Sequence, residues 1–224
     1  MSDDQKAKQA TRAGRSARTW IVFLTLTALL TAADLVTKHL SFEHVADVPV
    51  SIEKDDVLEL MAAQPNAINA LIPRHDPVVV APYVLEFKLV LNPGAVFGTG
   101  SGNRWFFVGF TIVALIVAVF MFARATTTRQ WLTHTGIALI VSGGIGNLYD
   151  RIVFACVRDF IHPLPGVMIP GTTRELWPYV SNVADAFLLI GIAIVMVKVW
   201  RHEREVAKPG KGDAKTIEDQ SDSG

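Results

Sequence analysis

Two aspartates stand in segments where an ionised group is costly. Asp185 lies in the stretch Val180–Val197, which carries no other Asp, Glu, Lys or Arg before Lys198, and Asp159 lies in Val157-Arg158-Asp159-Phe160-Ile161. Neither has an obvious local counter-ion. Two carboxylates facing each other hold one proton between them, because neighbouring like charges do not both ionise cheaply. The ionised member can deprotonate a water while its protonated partner hydrogen-bonds a peptide carbonyl; the roles then reverse and the leaving amine takes a proton. This is peptide-bond hydrolysis of the aspartic type. The residues alone leave open a pair that uses Asp150 instead.

Further polar groups gather around these two in the sequence. Asp34 and Lys38 are spaced i, i+4, so they share a helix face and can neutralise each other. Asn147 precedes Asp150 and Arg151 at the end of an apolar stretch, and Asn182 opens the one that holds Asp185. Asn92-Pro93-Gly94 stops the alternating run Tyr83–Leu91. Each has a structural reading as well. Asn147 can serve only to satisfy Asp150, Asp150 can be a paired helix-end charge, and Ser142 with Gly146 is a small-residue pair suited to close helix packing. Cys156 is the only cysteine and has no neighbouring His in the sequence, so it reads as structural rather than as a nucleophile.

The elements that must hold these residues are membrane spans. A bilayer core of about 30 Å needs roughly 20 mostly apolar helical residues. Four segments fit: Thr19–Leu40, Trp105–Ala123, Trp131–Leu148 and Val180–Val197. The first, preceded by basic residues and containing Thr31-Ala32-Ala33, also resembles a cleavable leader; apolar residues continue through Leu35, Val36 and Leu40, so it is read as a retained helix. Lys and Arg concentrate in the N-terminal tail, at Arg124 and Arg129, and from Lys198 onward. By the positive-inside rule these parts face the cytoplasm. All the polar groups above then converge on the outer water–lipid boundary.

The division expected is a basic cytoplasmic tail over 1–18, a four-helix membrane domain over 19–200 with an outer insertion at about 41–82, and a disordered cytoplasmic tail over 201–224. Within the insertion, Asp55–Leu71 is expected to hold one short amphipathic helix. Tyr83–Leu91 alternates as a strand. The chain is 50% hydrophobic and 19% charged, with Lys+Arg and Asp+Glu at 21 each, which argues against a nucleic-acid partner. One cysteine and six scattered His exclude a disulfide framework and a Cys-rich zinc site.

Five blocks together resemble lipoprotein signal peptidase, the signal peptidase II family: Asp34-x-x-x-Lys38, Asn92-Pro-Gly-Ala-Val-Phe97, Gly143-Gly-Ile-Gly-Asn-Leu-Tyr-Asp-Arg151, Val157-Arg-Asp-Phe-Ile161 and Asn182-Val-Ala-Asp185. The Gly143–Arg151 block is the most specific, and all five stand in the family's order. The resemblance implies a mainly α membrane protein, four transmembrane helices with a small extracytoplasmic β-cradle, in the bacterial cytoplasmic (inner) membrane. It implies an endopeptidase that removes the signal peptide of a prolipoprotein before a diacylglyceryl-modified cysteine. By the match Asp159 and Asp185 are the catalytic pair. Asn92, Gly94, Asn147, Arg151 and Asn182 fall on the block positions that line or shape the pocket. Asp34 and Lys38 support it, and Asp150 is scaffold beside Arg151. No metal or cofactor is implied; the partners are the prolipoprotein and membrane lipids, and the chain is expected to act as a monomer.

The sequence departs from the family pattern in the 41–82 insertion, in Ser181 where an aromatic is usual, and in a Pro- and Gly-rich connection over 162–179. The competing reading is a small membrane transporter or assembly factor with an interfacial carboxylate site. Transporters place charges near the midplane and often show repeated halves; here the charges lie at one face and no repeat is visible. An intramembrane protease of the GxGD type is disfavoured, because the chain has no Gly-x-Gly-Asp.

Overall fold

The computed structural model describes residues 11–64, 67–94 and 104–206. Five helices and three strands follow one another: α1 (Ala17–His44), α2 (Lys54–Ala63), β1 (Val78–Ala81), β2 (Leu85–Asn92), α3 (Arg104–Ala125), α4 (Trp131–Val153), β3 (Val157–Pro163) and α5 (Val183–Val206). Short 3-10 turns stand at Ala13–Arg15 and Ile68–Leu71. Among the described residues, three helical stretches are long and apolar enough to cross a bilayer: Ala17–His44, Arg104–Ala125 and Val183–Arg201. The sequence reading had four. The remaining helix, α4, is 23 residues long but carries His134, Ser142, Asn147 and Asp150 among its buried residues. It packs against α1, α3 and α5, so protein rather than lipid covers much of it.

Glycines let α4 take that central place. A side chain at Gly143 would meet the carbonyl of Ala184 on α5, one at Gly144 would meet Leu115 on α3, and one at Gly146 would meet the Asp34 carboxylate on α1. The Ser142/Gly146 pair is therefore a packing device, as expected of closely spaced small residues. On α1 the buried residues Phe23, Thr27, Asp34, Lys38, Ser41 and Phe42 form the inward stripe, while Ile21, Val22, Leu24, Leu29 and Val36 are exposed.

The sheet is antiparallel in the order β1-β2-β3. Its β2–β3 register pairs Val90 with Asp159, Leu91 with Arg158 and Asn92 with Val157. Successive side chains on a strand point to opposite faces, so Asn92 and Asp159 share one face while Arg158 and Phe160 take the other. The second face is covered by the insertion. Ile52, Val57, Met61, Ile68 and Ile72 pack with Phe42, Leu89, Leu91, Cys156 and Phe160 into one buried cluster. Each such side chain contributes about 1.5–3 kcal/mol by leaving water. The insertion is thus the far-side core of the sheet that carries Asp159.

Several boundaries differ from the sequence expectation. The single helix expected over Asp55–Leu71 is two pieces, α2 and the turn Ile68–Leu71; Pro65 lies between them in the sequence and cannot donate to a continuing helix. The expected strand Tyr83–Leu91 begins at Leu85, because Tyr83 turns the β1–β2 hairpin at φ 61. Val157–Ile161, which the sequence reading left without an element, lies in the strand β3, and β1 was not anticipated, although Val78, Val79 and Val80 are β-branched strand formers. The tail expected to be disordered from Arg201 is helical to Val206; residues 207–224 lie outside the described set. Residues 11–16, within the expected basic tail, dock: the Ala13 N–H donates to the Thr126 carbonyl at 3.0 Å and the Thr128 N–H to the Thr11 carbonyl at 3.0 Å. This places the N-terminal segment and the α3–α4 loop at one end of the bundle.

Candidate active site

At the opposite end, β3 and the start of α5 are joined by backbone. Ser181 and Ile161 form an antiparallel bridge, with the Ile161 N–H donating to the Ser181 carbonyl and the Ser181 N–H to the Ile161 carbonyl, each at 2.8 Å. The Ser181 hydroxyl adds a bond to the Ile161 carbonyl at 3.3 Å. Ser181 thus docks by its backbone and a small hydroxyl. The docking brings Asn182 beside Asp159. Asn182 and Asp185 then close a reciprocal helix cap: the Asp185 N–H donates to Asn182 Oδ1 at 3.1 Å, and the Asn182 N–H donates to Asp185 Oδ2 at 3.2 Å.

Two amides link the two carboxylates, and a third holds Asp159 from the other side. Asn182 Nδ2 donates to Asp159 Oδ1 at 2.6 Å and to Asn147 Oδ1 at 3.1 Å. Asn147 Nδ2 donates to Asp185 Oδ1 at 2.8 Å. Asn92 Nδ2 donates to Asp159 Oδ2 at 3.0 Å, while its own oxygen accepts from the Gly94 N–H at 2.9 Å. Gly94 adopts φ 91, a left-handed conformation suited to glycine. The rest of that block, Ala95, Val96 and Phe97, lies outside the described residues. Asp159 is buried and Asp185 half-buried. Burial first, and the Asp185 charge second, push the Asp159 carboxyl up to about 7, against the lowering effect of the Asn92 and Asn182 bonds.

Behind the amides lies a charge cluster. Lys38 Nζ meets Asp34 Oδ2 at 2.9 Å, Asn147 Oδ1 at 3.0 Å and Asp150 Oδ2 at 3.5 Å. The ammonium is donor-only, so it fixes the Asn147 oxygen toward itself and the Asn147 nitrogen toward Asp185. The other Asp34 oxygen accepts the Ala184 N–H at 2.8 Å, tying α1 to the first turn of α5. Asp150 is buried and ion-paired, yet its main cation is not the expected Arg151. Arg158 serves it, through Nη2 at 2.9 Å, Nε at 3.3 Å and its backbone N–H at 3.0 Å. Adjacent helical residues do not face each other; Arg151 instead donates to the Asn147 carbonyl at 3.1 Å and lies over the Phe107 ring at 5.5 Å. Arg158 was missed in the sequence; its signal was the strand alternation that turns it away from Asp159.

A cavity of about 270 Å³ opens onto Asp185, Asn147 and Arg151. Beyond them it is apolar, with Phe107, Phe110 and Leu115 of α3 facing Leu188 of α5. A larger cavity of about 470 Å³ lies beside Arg158 and Phe154 and includes neither Asp159 nor Asp185 in its walls. Cys156 is fully buried and its thiol is pushed up to about 12, first by burial; it is held as an inert thiol. Among the described residues no group of three His, Cys, Asp or Glu side chains is placed to hold a metal ion.

Comparison with known proteins matches this arrangement to one family. The profile of Signal peptidase (SPase) II matches residues 26–201. The chain belongs to the signal peptidase II family. It is 31% identical over 134 residues to a lipoprotein signal peptidase of Desulfitobacterium hafniense, covering 59% of this chain and 80% of that one. Against the lipoprotein signal peptidase of Clostridioides difficile the identity is 34% over 117 residues, or 52% of this chain and 70% of that one. A bacterial membrane enzyme solved by the in meso method at 2.3 Å resolution superposes with a TM-score of 0.59 at 24% identity, covering 85% of this chain and 93% of that one. A second, at 1.9 Å resolution, gives 0.56 at 22%; both likenesses concern the fold. The family is one of proteases, and the membership together with the three membrane-length helices indicates a bacterial inner-membrane protein.

Proposed function

We propose that the chain is an aspartic endopeptidase that removes the signal peptide from diacylglyceryl-modified prolipoproteins, cleaving before the lipidated cysteine. One observation carries the reading: two carboxylates that are bonded by amides instead of cations, Asp185 at the polar end of an apolar cleft and Asp159 buried behind it, joined to Asp185 through Asn182 and Asn147. Asp159 is the protonated member, in keeping with its raised pKa, and Asp185 the ionised one. Asp185 takes a proton from water as the water oxygen attacks the scissile carbonyl carbon. Asp159 gives its proton to the carbonyl oxygen. Collapse of the resulting gem-diol breaks the C–N bond; one hydroxyl proton returns to Asp159, and Asp185 passes its proton to the amine. Asn92, Asn147 and Asn182 orient the pair without neutralising it, and Arg151 borders the cleft where substrate backbone lies.

In this proposal α4 crosses the membrane with the other three helices, both termini are cytoplasmic, and the carboxylates lie at the outer leaflet. The acyl chains of the lipidated cysteine stay among the apolar residues of α3 and α5 while the bond enters the polar layer, where water reaches without a cavity through the bilayer. A monomer contains every group the reaction uses. Purified protein incubated with a diacylglyceryl-modified prolipoprotein should yield the mature-sized product, with Asp159→Asn and Asp185→Asn inactive. Removing a general acid or base lowers the rate by about 10²–10⁴-fold. Near-normal turnover by either variant removes that residue from the pair. No cleavage by folded wild type in suitable lipid shifts the reading to a binding or assembly role.

A further inference from the structure

The end of the bundle remote from the carboxylates holds a second concave site. α4 and α5 touch closely at Gly136 and Gly191, where a side chain on Gly191 would meet the Gly136 carbonyl. Past that crossing a cavity of about 350 Å³ opens between the start of α4 and the end of α5. Arg129, Lys198 and Arg201 line it, and no acidic side chain does. Among the described residues none of these three cations enters an ion pair. The wall also includes residues 131–133, the first turn of α4. Their N–H groups have no acceptor among the described residues, because the Gln130 side chain accepts from the Thr127 N–H at 2.8 Å instead of capping the helix. Cations from two elements and open amide donors thus converge on one space.

Its depth says which anion it meets. From Trp131 to Asn147 the helix rises about 24 Å, close to the roughly 30 Å of a hydrocarbon core. A bundle with its carboxylates at one boundary therefore has this groove at the other. Trp131 and Trp200 are exposed at this level, as indoles at a membrane boundary are. Met196, Val197 and Val199 leave an apolar surface on α5 just below Lys198 and Arg201, along which acyl chains can lie.

We propose that this groove seats the phosphate headgroup of an anionic glycerophospholipid from the leaflet opposite the carboxylate pair. The charge pattern selects against a zwitterionic headgroup, whose own cation would enter among three others. The proposal rests on the helices crossing a bilayer and not on the cleavage reaction, since lipid retention is read without substrate.

Full-length protein in detergent, titrated with dioleoylphosphatidylglycerol or dioleoylphosphatidylcholine and read by native mass spectrometry, tests it. The anionic lipid should be retained in preference. Arg129→Gln, Lys198→Gln and Arg201→Gln should each weaken retention about fivefold, the effect of one basic residue at an anionic surface. Arg124→Gln, an exposed cation at the same end outside the groove, should leave it unchanged, and helix content by circular dichroism should match wild type throughout. Equal retention of both lipids overturns the proposal. So does an equal loss in Arg124→Gln, which would mean diffuse attraction, or displacement of the lipid by equimolar inorganic phosphate, which would mean a site for the free ion.

Discussion

Two pairs of acids lie close together behind one cleft and meet opposite surroundings. Asp34 and Asp150 are fully buried, and each touches a cation, Lys38 at 2.9 Å for the first and Arg158 at 2.9 Å for the second. Asp159 and Asp185 receive bonds from Asn92, Asn147 and Asn182, with no cation bonded to either among the described residues. A cation fixes both the position and the charge of its carboxylate. An amide fixes position and leaves the charge free to change with a proton. The first pair is therefore held as ions and the second is suited to the proton transfer proposed for it, although all four side chains are the same chemical group.

Substitutions can sharpen or break that contrast. The largest effect is on turnover, where Asp159→Asn and Asp185→Asn should abolish cleavage while the protein stays folded. Lys38→Met should lower stability as well as turnover, because it removes the cation shared by Asp34 and Asp150 and the ammonium that turns the Asn147 amide toward Asp185. Breaking a buried pair in this way costs about 3–5 kcal/mol, so thermal unfolding of the detergent-solubilised variant should fall well below wild type. A Lys38→Met protein as stable as wild type would mean that the two acid pairs do not differ in kind.

Asp159 supplies a smaller test through pH. Its native pKa is raised from the ordinary carboxylate value of 3.8 to about 7, so between these values the native state holds a proton that the unfolded chain has released. Stability from this group is complete below about pH 4 and declines as pH rises toward 7, by up to about 4 kcal/mol. Asp159→Asn should consequently flatten the fall in melting temperature between pH 4 and 8, and wild-type cleavage should decline above about pH 7 as Asp159 loses its proton. An unchanged slope in Asp159→Asn would place the titration elsewhere. The smallest effect is expected of Cys156→Ala, which removes one buried sulfur from the far-side core; cleavage should persist, and a folded but inactive variant would return the thiol to the mechanism.

Much of this site could be read along the chain. The spacing of Asp34 and Lys38 predicts their shared face, and they form the ion pair. Asn182-x-x-Asp185 has the spacing of a reciprocal cap and makes one. The apolar runs locate the long helices, with C-terminal ends displaced by two to nine residues because polar residues continue the helix beyond the last apolar one. Other features could not be read in this way. Asp150 stands next to Arg151 in sequence, but neighbouring positions diverge around a helix, and its partner Arg158 arrives only after the chain reverses at Ala155, a left-handed residue at φ 62. The register of β2 on β3 sets Asn92 against Asp159, a long-range pairing that no local pattern encodes. The insertion reads as an unexplained addition until its apolar residues are seen against the back of the sheet.

The sequence by itself determined the types and order of the working groups: four carboxylates, three amides, the basic residues Lys38 and Arg151, and apolar segments long enough to hold them at a membrane boundary. Periodicity and hydropathy are local properties, and they suffice for that. Which carboxylate is neutralised and which keeps its proton was decided only by the tertiary structure. Strand alternation sends Arg158 to Asp150 and away from Asp159, and Gly143 and Gly146 let α4 come near enough for Lys38 to turn the Asn147 amide toward Asp185. A carboxylate's ionisation depends on what lies within a few ångströms of it, and those neighbours come from distant parts of the chain.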